Sequence, residues 1–237
     1  MSPPLRSIRA RTVWGSEHYS EVVRGVLAAR TSVWIATANL KELRVEPQGS
    51  PRARYHSVMA EFDRLAQAGV ELRLLHAAPP SRPFRDEFDA WPRLVAGGLA
   101  LRQCPRVHLK VVIVDGTWMY LGSANWTGAG LGAKAEDRRN FELGLATDDE
   151  ALLDETQRRF EEIWRGGPCA RCRLRAQCEA PLDVTTRALA GTSPRTIVQI
   201  GAPARPRSQP AEGTTAVNPP DVRGVARKRL RSGRRAP

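Results

Sequence analysis

No stretch of this chain approaches the ~18 to 20 consecutive apolar residues that a membrane-spanning helix requires, so no transmembrane segment is expected. The opening MSPPLRSIRARTVWGSEHYS has no apolar stretch of the secretory type either, and a soluble, cytoplasmic protein is the expectation. Cysteine is scarce. Its four copies, Cys104, Cys169, Cys172 and Cys178, are unevenly placed rather than spread as a disulfide framework, and in a reducing compartment they stay thiols or hold a metal. No internal repeat is found. Acidic residues are outnumbered, 25 Asp and Glu against 37 Lys and Arg, and the resulting net charge of +12 favours an anionic partner: nucleic acid, an acidic membrane surface or a phosphorylated substrate. At 237 residues the chain has room for one sizeable core with a tail, but hardly for two full domains.

What is present is an alternation of helix and strand patterns. Ser16 to Arg30 carries Tyr19, Val22, Val23, Val26 and Leu27 at helical spacing, with Ser16 as a cap, and Ser32–Ala38 (SVWIATA) suits a buried strand. A Pro, Gly and Arg-rich loop from Glu46 to Arg54 leads to a helix over Tyr55–Ala68, ended by Gly69, and then to a strand over Val70–His76. The run AAPPSRP reads as loop, and Phe84 to Ala96 as a weakly patterned stretch with a short helix. Strand patterns follow at Leu99–Gln103, Val107–Val114, Trp118–Leu121 and Phe141–Thr147, with a turn at Asp115–Gly116, before an amphipathic helix over Leu152–Trp164. The fold class expected is α/β, a mixed β-sheet sandwiched between helices. Three regions follow: a catalytic domain over 1–165, a cysteine-rich metal-binding segment over 166–180, and a disordered basic tail over 181–237 that is too rich in Pro, Thr, Gly and Arg to bury a core.

Chemistry concentrates in VHLKVVIVDGTWMYLGSAN. Residues two apart on a strand share a face, so His108 and Lys110 address one spot while Leu109 and Val111 enter the core. An anion fits there, because Lys110 supplies charge, Ser123 and Asn125 supply donors, and the turn at Gly122 lets backbone approach closely. A phosphate diester held at that spot would place its phosphorus within reach of the neutral His108 imidazole, which could displace one ester oxygen. A lone strand histidine is usually an ordinary hydrogen-bonding residue. Six polar or glycine positions at fixed spacing argue otherwise.

This segment resembles the signature of the phospholipase D superfamily, H-x-K-x4-D-x6-G-S-x-N, at every defining position. The resemblance in element order spans about Ser16 to Arg165, and it implies a phospholipase D/nuclease-like fold. It further implies a phosphohistidine on His108, phosphate binding by Lys110 and Asn125, no catalytic metal, and an orienting part for Asp115. A downstream acidic residue in that family commonly holds the far nitrogen of the nucleophile, and Glu142 in RNFELGL is the match; a carboxylate there would fix the tautomer and stabilise the charge that develops. Family sites pair two such motifs, whereas His18, His56 and His76 are not followed by Lys two residues on. A two-fold homodimer would supply the second copy of His108. Single-motif members of the family are typically small endonucleases, so nucleic acid is the expected substrate. A phospholipase D or transphosphatidylase acting on phospholipid head groups is the alternative, and an inactive nucleic-acid-binding protein the second.

Cys169, Cys172 and Cys178 form C-x2-C-x5-C, with Cys104 as a distant fourth ligand. Four thiolates suit structural zinc or an iron–sulfur cluster. The spacing is similar to the iron–sulfur staple of some helicase-associated and CRISPR-associated nucleases of unrelated fold.

Overall fold

A computed structural model describes residues 5–46 and 55–184. Most of the expected Glu46–Arg54 loop, and the expected tail beyond residue 184, lie outside the described residues. The strands are β1 (Ala10–Trp14), β2 (Ser32–Thr37), β3 (Arg44–Val45), β4 (His56–Ser57), β5 (Glu71–His76), β6 (Ala100–Gln103), β7 (Val111–Val114), β8 (Trp118–Gly122) and β9 (Leu143–Thr147). The helices are α1 (Arg24–Leu27), α2 (Val58–Gln67), α3 (Arg82–Asp89) and α4 (Glu150–Trp164). Seven strands form one sheet in the order β1-β9-β8-β7-β2-β5-β6, while β3 and β4 make a separate hairpin. Pairing is parallel from β2 through β5 to β6 and antiparallel elsewhere. The sheet is therefore mixed, as the sequence pattern implies.

Alternation along the strands divides the core in two. Val33, Ile35, Val112, Val114 and Tyr120 face Val22, Val23, Val26, Val58, Phe62 and Phe84 on one side of the sheet. Ala36, Val111, Ile113 and Met119 face Leu153 and Phe160 of α4 on the other. Helices thus cover both faces. This arrangement is the mixed α/β sandwich that the sequence pattern implies.

Several elements differ from the sequence reading, each for a local reason. The first helix opens as a π-type turn over His18–Val23, and Ser16 contributes no side-chain cap. A missing strand, β1, pairs with β9 along the sheet edge; only Val13 in it is buried, so the apolar alternation that marks a strand is absent. Helix α3 starts at Arg82, inside the expected loop, because Pro83 sits in the first turn where a missing N–H costs nothing and Ser81 accepts from the Phe84 N–H at 3.3 Å. Helix α4 starts two residues early on the cap of Asp149, whose carboxylate accepts from the Leu152 N–H at 2.9 Å. Leu109 does not enter the core: it is 39% exposed, because regular pairing of the strand begins only at Val111. Pro181–Val184, at the start of the expected tail, packs back on the body with Leu182 buried.

Candidate active site

The signature residues other than Asp115 gather where β2 and β8 finish and β7 begins. Register pairs Ala36 with Val111 and Val111 with Leu121. One step further along, Lys110 lies between Thr37 and Gly122, and the Gly122 N–H donates to the Lys110 carbonyl at 3.1 Å. His108 is exposed on the extended segment just before β7, and its ring makes no protein hydrogen bond among the described residues. Lys110 is half-buried and folds its Nζ back to the His108 carbonyl at 3.0 Å. The Lys110 ammonium is therefore held against the backbone that carries His108.

Asn125 is oriented by backbone. Its Oδ1 accepts from the Ala38 N–H at 3.1 Å and the Asn39 N–H at 3.0 Å. Only the carbonyl end of an amide can accept, so the NH2 end must point the other way. The next residue extends the lacing, as Trp126 donates from its backbone N–H to Thr37 Oγ1 at 2.9 Å and accepts from the Lys41 N–H at 3.2 Å.

Ser123 and Glu142 are committed elsewhere than expected. The Ser123 hydroxyl donates to Glu142 Oε2 and accepts from the Leu143 N–H at 3.0 Å. The other carboxylate oxygen accepts from Asn140 Nδ2 at 3.0 Å. The expected Glu142–His108 hydrogen bond is not among the contacts of this carboxylate, whose two oxygens accept from Ser123 and Asn140. Ser123 likewise spends its proton on Glu142 rather than pointing it at an anion. Glu142 is buried at 9% exposure, so its charge is felt by the groups beneath.

Asp115 stands at the far end of β7, remote from His108 along the strand. Its carboxylate accepts from the backbone N–H groups of Arg30, Thr31 and Ser32 at 2.7 to 3.1 Å and from the Thr31 hydroxyl at 3.0 Å. Burial pushes its pKa up, but these donors outweigh that and hold it below the usual carboxylate value. Asp115 is a positioning residue that ties the β7–β8 turn to the start of β2.

Beneath the site lies a buried chain that the sequence did not reveal. His18 Nδ1 stands 3.1 Å from the Gly15 carbonyl, which can only accept, so Nδ1 carries the proton and Nε2 accepts from the Tyr120 hydroxyl at 3.0 Å. The same hydroxyl accepts from the Ala124 N–H at 3.3 Å. Burial lowers the pKa of His18 and keeps the ring neutral. Burial, with the nearby Glu142 charge adding to it, pushes Tyr120 up to about 12. The Tyr120 ring lies across Gly122 and Gly144, and a Cβ on either glycine would meet it well inside contact distance. The spacing Tyr120-x-Gly122 is the only sequence trace of this.

The family model for the cardiolipin synthase, PLD-like domain matches residues 24–164, and the chain belongs to this phospholipase D-like family. Membership of this family supports phosphodiesterase-type activity. No curated protein matches the chain. Among solved structures, NucT from Helicobacter pylori is similar at 15% identity, with 66% of this chain and 95% of that one covered and a TM-score of 0.47. The phospholipase D family member Nuc from Salmonella typhimurium is similar at 17% identity, with 67% and 95% covered and a TM-score of 0.48. The phosphatidylserine synthase of Haemophilus influenzae Rd KW20 is similar at 13% identity, with 76% and 45% covered and a TM-score of 0.44. Among the described residues no helix is long and apolar enough to cross a membrane.

Proposed function

We propose that this chain is a metal-independent phosphodiesterase that cleaves nucleic acid, DNA or RNA, through a phosphohistidine on His108. The observation that carries the reading is the state of the His108 ring, exposed and without a protein hydrogen bond among the described residues, on a residue whose backbone carbonyl holds the Lys110 ammonium at 3.0 Å. Lys110 and the Asn125 NH2 bind the non-bridging phosphate oxygens. A neutral His108 nitrogen then attacks phosphorus, forming the P–N bond as the P–O bond to the leaving alcohol breaks. That oxygen needs a proton, and the chain contains no second His-x-Lys to give it. A two-fold partner contributing its own His108 as the acid completes the step, and the same imidazole, now neutral, deprotonates the water that hydrolyses the P–N bond. Nucleic acid is favoured over phospholipid by the net charge of +12, since Lys and Arg contacts to successive phosphates add affinity without regard to sequence.

The test offers single-stranded DNA, duplex DNA, RNA and phosphatidylcholine side by side, with and without EDTA, to wild type and to His108→Ala. Cleavage of nucleic acid that survives EDTA and is lost in the variant is expected. Preferential lipid turnover would replace the substrate assignment, and residual activity within tenfold of wild type would remove His108 as nucleophile. Mixing His108→Ala subunits into wild type under exchange should depress activity beyond dilution, because each mixed dimer keeps one histidine where two are needed. A fully active monomer by light scattering would end the dimer assignment.

A further inference from the structure

Outside the catalytic corner, the only sulfur-rich region of the chain folds into a single cavity. Cys104, Cys169, Cys172 and Cys178 all line it, together with Arg106, Arg175 and Leu182 among others. Two separate parts of the sequence are brought together there. Cys104 follows β6, where its N–H continues the sheet by donating to the His76 carbonyl at 2.8 Å. The other three follow α4, whose end is turned by Gly166 at φ +76°.

The late segment is built in steps of three. The Cys172 N–H donates to the Cys169 carbonyl at 3.1 Å, Arg175 to Cys172 at 3.1 Å, and Cys178 to Arg175 at 3.3 Å. Three-residue turns bring positions i and i+3 to the same side. The spacing of C-x2-C-x5-C is three and then six, so all three cysteines return to one edge. Arg175, at the intermediate position, turns aside to pair with Asp183 at 2.8 Å.

We propose that these four cysteines form a structural tetrathiolate site for one zinc-class dication. Four thiols converging on one small pocket match the tetrahedral all-sulfur set of a structural zinc site, and the spacing alone leaves iron–sulfide as the alternative that the test below separates. Four thiolates around a dication carry a net charge of about −2, and guanidinium groups stand ready to offset it. Arg106 and Arg175 line the same cavity as the four thiols. Among the described residues no three of these side chains yet form a coordination shell. The fold supplies the convergence, and selection among staggered χ1 rotamers closes the shell around the ion.

Such a site would clamp the approach to the nucleophile. The Val107 N–H donates to the Cys104 carbonyl at 2.9 Å, closing the turn from which His108 emerges. Arg102 adds to the clamp by donating to the carbonyls of Trp164 and Leu182, the latter at 2.9 Å.

The test is elemental analysis of the full-length chain purified without chelator, with thiol titration of the native protein. One zinc per chain and protected thiols are expected. Exchange to cobalt(II) should give the long-wavelength d–d bands and thiolate charge transfer of a tetrahedral sulfur site. Cys104→Ser and Cys178→Ser should each lose the bound ion and lower the melting temperature. A native chain with freely reactive thiols and no stoichiometric metal would overturn the proposal. So would iron with acid-labile sulfide and visible absorption. If either variant fails to fold, the wild-type stoichiometry and the cobalt spectrum still decide the matter.

Discussion

Replacing Asp115 tests whether the signature aspartate serves the backbone rather than the chemistry. Its carboxylate is the acceptor for three consecutive backbone N–H groups, those of Arg30, Thr31 and Ser32. A hydrogen bond to a charged acceptor contributes about 1.5–3 kcal/mol where water cannot replace it. Two of the three donors are exposed enough for water to take over, so Asp115→Ala should cost roughly 2–4 kcal/mol rather than the full sum. Backbone conformation adds a further distinction. Asp115 has φ +54°, a left-handed geometry that Asn tolerates and Ala resists by about 1–2 kcal/mol. Asp115→Gly should therefore be less damaging than Ala, and Asp115→Asn, which keeps one acceptor oxygen, the mildest at about 1–2 kcal/mol. Urea denaturation monitored by tryptophan fluorescence measures all three. Because the folded pKa of Asp115 is depressed, its contribution is fully present above the ordinary carboxylate value and is lost as pH falls through the folded value. The gap between wild type and Asp115→Asn should hold at pH 7 and shrink below about pH 4. A gap unchanged between pH 7 and pH 3, or an Asn variant of wild-type stability that has lost turnover, would refute the scaffolding role.

Two further outcomes follow from packing and from charge. Gly144→Ala should destabilise the fold by about 1–3 kcal/mol, because its new methyl group meets a Tyr120 ring that is fully buried and fixed by His18 and Ala124; wild-type stability on denaturation would show that ring to be displaceable. Truncation after Val184 removes Arg223, Arg227, Lys228, Arg229, Arg231, Arg234 and Arg235 while keeping buried Leu182. It should leave hydrolysis of a small chromogenic diester nearly unchanged and flatten the salt dependence of nucleic-acid binding; an identical slope of log affinity against log salt would contradict a polyanion-binding role.

The sequence was most informative where spacing and chemistry coincide. The run from His108 to Asn125 is legible because its apolar residues keep strand alternation while its polar ones break it at fixed places. The partners of those polar groups were not legible, since hydrogen bonding depends on which segments meet. Thr31 meets Asp115 and Ala38 meets Asn125 only after β2 and β7 pair, a register with no local trace. Glu142 shows the same limit from the other side. Its motif position pointed to His108, whereas the hydrogen bonds it makes are to Ser123 and Asn140. Strand β1 was invisible because an edge strand with one buried residue carries no period. Helix α3 was obscured by Pro83, which breaks a helix interior but suits its first turn.

The site's polar groups divide into those already satisfied and those left over, and the division bears on mechanism. Asp115, Ser123, Glu142 and the carbonyl end of Asn125 are all consumed in holding backbone and turn. The Tyr120 hydroxyl is consumed from below by His18 and Ala124. Left over are the His108 ring, the Asn125 amide N–H groups and a Lys110 ammonium whose one protein partner is a carbonyl. A phosphate oxygen is the better acceptor, since pairing two opposite charges gives a shorter and stronger bond than an ammonium makes to a neutral carbonyl. Substrate would then draw Lys110 off the His108 carbonyl, while the rest of the corner, held by satisfied bonds, need not rearrange. Donors fixed in advance stabilise developing charge without reorganisation at the moment of reaction. Glu142 is already hydrogen-bonded to Ser123 and Asn140, and His18 is buried beneath the site, so neither is placed to give a proton to the leaving oxygen of the proposed step. In the mechanism proposed above the acid is a second copy of His108, and the subunit-mixing experiment with His108→Ala decides it.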